Sequence, residues 1–250
     1  MKRSINELTG YTIDAVDGTK GIVRDFLFDE EEWNIRYLEA DLGLIFSGRK
    51  VLIPNKFLKS PDWSSHSFPV AIDKSSIEEC PELAENLPVS RRYEEELNKY
   101  YESNDYWSNT YVVPVGQPGL IHTPRPIPIP NKIIDEQEID TSLRSFKELK
   151  GYKVIGSDGQ IGQVDDIIVD DMSWQIVYLV VDTSNWMEWS KKVLISTHSM
   201  DEISYEQNEI KINLNIENIK SAPELDDSKP VNEEFEKKLY DYFGRPVKQQ

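Results

Sequence analysis

The stretch GYTIDAVDGTKGIVRDFLFD, residues 10–29, returns in a related form as GYKVIGSDGQIGQVDDIIVD at residues 151–170. The two stretches are identical at eight of twenty positions, where ordinary composition gives about one. The correspondence continues through KVLI at residues 50–53 and 192–195, and it ends in YEEELNKYY against FEKKLYDYF. The chain is therefore predicted to contain two copies of one unit of about a hundred residues.

Each copy is predicted to be mainly β. The quoted segments contain Asp-Gly pairs, which tolerate positive φ in tight turns, and the runs that follow are rich in Val, Ile and Phe. The later segments IRYLEAD and IVYLVVD, and then KVLI, have the composition of further strands. Several short strands separated by turn residues predict a small closed or nearly closed β-barrel in each copy.

A helix is predicted to follow each barrel. Apolar and aromatic residues recur there at spacings of three and four, which places them on one helical face. These residues are Tyr93, Leu97, Tyr100 and Tyr101 in the first copy and Phe235, Leu239, Tyr242 and Phe243 in the second. The fold class is therefore two tandem small β-barrels, each followed by an amphipathic helix.

The predicted boundaries are residues 1–103 for the first repeat with its helix, 104–140 for a linker and 141–250 for the second repeat. The linker contains alternating prolines, which hold a chain extended. It is interpreted either as a semi-rigid spacer or as a peptide that buries Ile127 and Ile129 on a neighbouring barrel. We expect the two repeats to pack together within one chain through their helices and the linker. The alternative is that each helix only closes its own barrel.

Composition disfavours several classes of protein. The chain has 28 basic and 45 acidic residues and a formal charge of −17, whereas nucleic-acid binding needs clustered Lys and Arg. No run of about 18 apolar residues occurs, so we expect no membrane insertion. The start of the chain does not read as a secretory signal, and Cys80 is the only cysteine. A cytoplasmic protein is therefore expected.

The repeated unit resembles the PRC-barrel family. The resemblance lies in the Gly-Tyr start, the DG..G.V.D...D core, W.I.YL..D, KVLI and PEL, and it covers nearly the whole chain twice. The family includes the barrel of photosynthetic reaction-centre H subunits and that of ribosome maturation factors. The resemblance implies the barrel fold and an adaptor role with a protein partner, including a link to a membrane or photosynthetic complex. It also implies ribosome assembly as a further alternative.

The duplicated carboxylates are the best candidates for a chemical site, since the sequence lacks the common motifs of nucleophilic, zinc or phosphate chemistry. Asp25 and Asp29, and likewise Asp166 and Asp170, share strand parity, so each pair could lie on one face. Oxygen ligands suit Ca²⁺ or Mg²⁺, but Asp at strand ends commonly holds turns. The second interpretation is preferred, so we expect no metal, cofactor or catalytic residue.

Candidate partner-binding residues lie in a loop of the second copy, where Trp186, Met187 and Trp189 bring large apolar groups together. The linker residues Ile127 and Ile129 are further candidates. The predicted function is a non-enzymatic protein-binding or scaffold module. The alternatives are a metal-assisted hydrolase that uses the duplicated aspartates and an adaptor in RNA or ribosome assembly.

Overall fold

The structure is a computed structural model that describes residues 1–43, 48–83, 89, 91–102, 143–184, 190–226, 229 and 231–243. Its described residues form two mixed β-sheets with short helices, which confirms the predicted mainly β fold class. Trp186, Met187, Trp189, Ile127 and Ile129 lie outside the described residues.

The two repeats present equivalent elements in the same order, except that the second contains one additional strand. In the first repeat these are β1 (Lys2–Ser4), α1 (Ile5–Leu8), β2 (Thr12–Ala15), β3 (Gly18–Asp29), β4 (Asn34–Asp41), β5 (Lys50–Pro54), β6 (Ser67–Pro69), α2 (Lys74–Glu78) and α3 (Arg91–Tyr100). In the second they are β7 (Leu143–Ser145), α4 (Phe146–Leu149), β8 (Lys153–Gly156), β9 (Gly159–Asp170), β10 (Ile176–Asp182), β11 (Lys192–Ser196), β12 (Met200–Ser204), β13 (Glu209–Ile212), α5 (Ile216–Ser221) and α6 (Glu233–Phe243).

The two sheets share the same order over five strands, and β12 extends the second sheet by one. The order runs β5-β4-β3-β2-β6 in the first repeat and β11-β10-β9-β8-β13-β12 in the second. The pairs β2–β6 and β8–β13 are parallel, whereas the neighbouring pairs along β3–β4–β5 and β9–β10–β11 are antiparallel. The long central strands β3 and β9, which contain the repeated Val and Asp positions, therefore occupy equivalent places.

Each sheet also receives the first strand of the other repeat. Strand β1 pairs antiparallel with β9, with Arg3 opposite Val169, and β7 pairs antiparallel with β3, with Arg144 opposite Phe28. Residues 1–85 and 142–250 accordingly form one compact unit, and residues 86–141 form a second. The strand pairing thus crosses the boundary between the repeats predicted at 1–103 and 141–250.

Helix α6 covers the outer face of its own repeat. Its Leu239, with Phe235 and Phe243 beside it, packs on an apolar cluster that includes Ile168 and Val180 of the sheet. Helix α6 therefore packs on the sheet of its own repeat, and its Glu236 also lies 3.9 Å from Lys2 Nζ of the first repeat.

In the part of the chain that the structure describes, no helix is long and apolar enough to cross a membrane.

A glycine sets the spacing between β9 and β10. A Cβ added at Gly162 would lie 2.2 Å from the carbonyl oxygen of Asp182, well inside van der Waals contact. Because that oxygen belongs to backbone, the two strands would have to move apart. Gly162→Ala is therefore expected to lower the free energy of unfolding by about 1–3 kcal/mol, measured by urea denaturation.

The matched control is Gln163→Ala, at the next position along β9. Gln163 is only half-buried, and shortening its side chain adds no atom to the strand. A change within about 0.5 kcal/mol is expected for such a site. Equal losses in the two variants would show that the close approach of Asp182 does not determine the effect.

Candidate functional site

The duplicated aspartates Asp25 and Asp166 anchor the exchanged segments. We call residues 2–8 (β1 and α1) arm 1 and residues 143–149 (β7 and α4) arm 2. The Ser4 hydroxyl donates to the Asp166 carboxylate, and the Ser145 hydroxyl donates to that of Asp25. The backbone N–H two residues further along each arm donates to the same carboxylates, at 3.1 Å from Asn6 and 3.2 Å from Lys147.

Local strand geometry turns these two carboxylates toward the arms. The pairing of β3 with β4 shifts register between Val23 and Asp25, and that of β9 with β10 shifts between Val164 and Asp166. At each shift the Asp carboxylate accepts the N–H of the next residue at 2.8 Å. A bulge re-aims a side chain in this way, and here it directs the carboxylate to the incoming serine.

Burial changes the acidity of both groups. Asp25 is 2% exposed and Asp166 is 7% exposed. Desolvation raises the pKa of each carboxyl to about 6, against the lowering effect of the serine and backbone hydrogen bonds. The two repeats therefore hold matching carboxyl groups that titrate near neutral pH.

The other duplicated aspartates hold turns. The Asp29 carboxylate accepts the N–H of Glu31 at 2.9 Å, and the Asp170 carboxylate accepts that of Met172 at 3.0 Å. The pKa of Asp170 is lowered to about 2, because its hydrogen bonds, with Lys2 first among them, outweigh desolvation. Within the described residues, no group of three or more His, Cys, Asp or Glu is placed to hold a metal ion.

An arginine in each arm adds a second contact. Arg144 Nη2 donates to Glu30 of the first repeat at 3.1 Å, and its guanidinium lies 4.0 Å from the ring centroid of Tyr205. Tyr205 also donates its hydroxyl to Glu30. Burial and that hydrogen bond raise the pKa of the Tyr205 hydroxyl. The planar guanidinium thus joins an acid of one repeat to an aromatic ring of the other.

The equivalent contact in arm 1 uses different residue types. The Arg3 guanidinium lies 4.2 Å from the ring of Trp63, and its Nε is 3.6 Å from Asp171 of the second repeat. The two arginines stand at the same position of their arms. The arrangement of arginine, acid and aromatic ring is therefore conserved between the repeats although the acid and the ring have changed.

A double-mutant cycle tests the arginine contact. We expect Arg144→Met and Tyr205→Leu to be coupled by about 1 kcal/mol, because each removes one side of a partly buried cation–π pair. The free energy of unfolding of the wild type, both single variants and the double variant gives this value. A parallel cycle of Arg144→Met with Lys238→Met, whose lysine is paired with Glu234 on α6, is expected to give no coupling.

The turns that follow β3 and β9 meet each other. The Ile35 N–H donates to the Trp174 carbonyl at 2.8 Å, and the Ile176 N–H donates to the Trp33 carbonyl at 2.7 Å. Both tryptophans have positive φ, 55° and 60°, which is rare for bulky residues. The strained turns are therefore held by the reciprocal contact between the repeats.

The two tryptophans use their rings differently. Trp174 is 4% exposed and lies against Phe26 and Phe68 of the first repeat, with ring centroids 6.3 and 5.5 Å apart. Trp33 stacks on Phe28 of its own repeat at 5.4 Å. Trp174 therefore completes the core of the other repeat, whereas Trp33 packs within its own.

A cavity of about 190 Å³ lies beside the anchor of arm 1. Its lining combines Ser4, Asn6 and Asp166 with the apolar Ile168 and Val231. Lysines at its edge are already paired, as Lys192 is with Asp165 at 3.0 Å. The cavity therefore places the Asp166 carboxyl group, whose pKa is about 6, beside apolar side chains.

The arms themselves are the functional residues that the sequence interpretation missed. Its comparison began at the Gly-Tyr pair, but the preceding residues match as well: RSINEL at 3–8 and RSFKEL at 144–149 agree at Arg, Ser, Glu and Leu. Extending the comparison by seven residues would have shown that the segments now seen to exchange are part of the duplication.

The comparisons with known proteins concern the second repeat. Residues 143–218 match the model of the PRC-barrel domain family. The chain therefore contains a PRC-barrel domain, and this family match confirms the resemblance for the second repeat. A search of the curated proteins returns no match. The first repeat is related to this domain through the internal duplication and the shared strand order.

Proposed function

We propose that this chain is a non-enzymatic scaffold or adaptor that binds proteins through a paired PRC-barrel unit. The observation that carries the proposal is the use of Asp25 and Asp166. These buried carboxylates accept a serine hydroxyl and backbone N–H groups from the opposite arm. Groups engaged in this way join two similar units, and a joined pair presents two related surfaces to a partner.

The proposed partner is a protein, and the proposed compartment is the cytoplasm. A formal charge of −17 repels nucleic acid and anionic membranes, whereas it attracts basic protein surfaces and speeds encounter with them. Cys80 is buried in the structure, in keeping with a small structural residue and not with a reactive thiol.

One observation favours the alternative of a metal-assisted hydrolase. Asp166 combines a pKa of about 6 with a place in the lining of the 190 Å³ cavity, and perturbed carboxyls beside cavities are candidates for catalysis. The scaffold role is preferred because the same carboxylate already accepts the Ser4 hydroxyl and the Asn6 N–H.

The test combines quantitative affinity capture with titration calorimetry on the full chain. We expect a protein partner to be enriched by the wild type and lost with the triple variant Trp186→Ala, Met187→Ala, Trp189→Ala, which serves as the matched control. Titration with Ca²⁺ or Mg²⁺ is expected to show no saturable heat. The hydrolase would instead be supported by a saturable metal site that is lost in the double variant Asp25→Asn, Asp166→Asn. In that case the wild type would also capture no more protein than the triple variant does.

A further inference from the structure

The two arms are two different sequences seated in two equivalent sites. We call the receiving sites slot 1 (β3 with Asp25 and Glu30) and slot 2 (β9 with Asp166 and Asp171). Arm 2 occupies slot 1 and arm 1 occupies slot 2. The pair therefore shows directly which arm residues a slot requires and which it tolerates.

The retained Arg and Ser contact the slot, whereas the retained Glu7 and Glu148 are exposed and their N–H groups donate at 3.2 Å to the serine of their own arm. The Arg of each arm meets an acid, the Ser hydroxyl donates to the Asp carboxylate, and the final Leu is buried. The position after Ser is apolar and fully or almost fully buried in both arms, at 0% exposure for Ile5 and 2% for Phe146. A slot thus recognises the pattern Arg-Ser-apolar-x-x-Leu.

The residues that differ are the ones a slot does not require. Lys2 stands where arm 2 has Leu143, and Asn6 stands where it has Lys147. The contact to Asp at the second of these positions comes from the backbone N–H, which any residue except proline supplies. A slot therefore accepts either Asn or Lys at this position, because the side chain takes no part in the hydrogen bond to the Asp carboxylate.

Each arm joins its repeat through a short hinge. Residues 9 and 10 follow arm 1, residues 150 and 151 follow arm 2, and the glycines Gly10 and Gly151 have φ of +89° and +90°. A Cβ at either glycine would meet nothing within 4 Å. Each glycine N–H donates at 2.8 Å to a carbonyl of its own repeat, Gly10 to Val23 and Gly151 to Val164. The glycine is therefore fixed to its repeat, and the short connection between it and the arm is where a few changes in dihedral angle can redirect the arm.

From these observations we propose that the slots are recognition sites for arms of this pattern, and that the partner they fit is a second copy of this chain. Arm 1 of one copy occupies slot 2 of the other, and the exchange is reciprocal. Every slot stays filled and the hydrogen bonds between arm and slot are remade, whereas the bond from the Tyr11 N–H to the Leu8 carbonyl spans the hinge and depends on its conformation. The reciprocal arrangement closes as a twofold dimer. Protein concentration then decides between the closed chain and the exchanged dimer.

This inference rests on the proposed function only in treating the partner as a protein, and it names that partner. Its test detects exchanged arms directly and does not involve capture from cytosol. Failure of the exchange with successful capture would reject this inference alone. Loss of capture with successful exchange would reject the wider scaffold role and leave the dimer.

The experiment traps the exchanged strand with a disulfide. Lys2 and Asp170 are Cα partners in the β1–β9 pairing, and Lys2 Nζ lies 3.0 Å from the Asp170 carboxylate, so their side chains share one face and suit a disulfide. One tagged full chain carries Lys2→Cys and a second, differently tagged, carries Asp170→Cys. Both also carry Cys80→Ala. The two are unfolded, mixed, refolded together and oxidised.

We expect a disulfide-linked heterodimer that increases with protein concentration. If the effective concentration within a chain is in the millimolar range, refolding near 1 mM should place about as many arms between copies as within them. The matched control replaces Asp170→Cys by Asp201→Cys, at an exposed position on β12, and should give only background. Excess synthetic peptide of residues 1–9 should reduce the heterodimer, and a scrambled peptide should not.

A chain that carries both Lys2→Cys and Asp170→Cys provides the folding control. At about 1 µM, far below that effective concentration, it should form the disulfide within one chain. If that bond forms while the mixed chains give no more heterodimer than the Asp201→Cys control, exchange between copies is rejected. If the peptide of residues 1–9 leaves the heterodimer unchanged, recognition of the arm pattern is rejected.

Discussion

Replacing Trp174 with alanine is expected to lower the free energy of unfolding by about 3–5 kcal/mol, the usual cost of removing a buried tryptophan. The effect should appear in the first repeat although the residue belongs to the second. Its ring lies against Phe26 and Phe68, which are both 0% exposed. Hydrogen exchange should therefore show reduced protection in β3 and β6, and urea denaturation should give the energy.

Met172→Ala is the matched control, because Met172 lies in the same turn and is 84% exposed. A change within about 0.5 kcal/mol is expected for such a surface site. Trp174 has φ of 60°, and alanine shares that strain, so the measured difference reports the lost packing. Reduced protection confined to β9 and β10 would contradict the assignment of Trp174 to the core of the first repeat.

The sequence predicted the local fold well because its signals are local. The Asp-Gly pairs at residues 17–18 and 158–159 lie at the turns before β3 and β9, and the apolar runs that follow form those strands. The apolar spacing in FEKKLYDYF gives α6, whose Leu239 is 3% exposed. Agreement between turn residues, strand composition and helical spacing makes such predictions dependable.

The exchange of arms could not be predicted from pattern. Strands β1 and β7 contain three residues each, too few to show an alternation of apolar and polar positions. Their partners lie more than a hundred residues away, as with Ser4 and Asp166. Two copies of related sequence offer an arm the same serine–carboxylate contact, so the sequence pattern does not distinguish an arm that turns to its own repeat from one that turns to the other.

The duplication made part of the candidate site recognisable in the sequence. Asp25, Asp29, Asp166 and Asp170 were singled out because they are duplicated, and all four prove to be engaged in hydrogen bonds that hold arms or turns. Equal strand parity suggested a common role for the members of each pair. Their roles differ because one carboxylate of each pair contacts an arm of the other repeat. Strand parity contains no information about that contact.

Lowering the pH from 7 to 5 is expected to stabilise the protein. The pKa of Asp25 and that of Asp166 are both about 6 in the folded chain, against about 3.9 in an unfolded one. The folded state therefore binds protons more tightly, and stability falls as pH rises through about 6. The gain at pH 5 relative to pH 7 is on the order of 1 kcal/mol for each group.

The double variant Asp25→Asn, Asp166→Asn should lose most of this dependence, since neither amide titrates. The charge-matched control, Asp201→Asn with Asp241→Asn at exposed positions, should retain it. Asp170, with its pKa lowered to about 2, contributes stability that is lost only when the pH falls below about 4, outside this window. Urea denaturation of the three proteins at pH 5, 6 and 7 gives the three slopes. Equal slopes in the wild type and the Asn variant would show that the carboxyl groups anchoring the arms do not hold protons near neutral pH, and that the stability gain comes from the acidity of the chain as a whole.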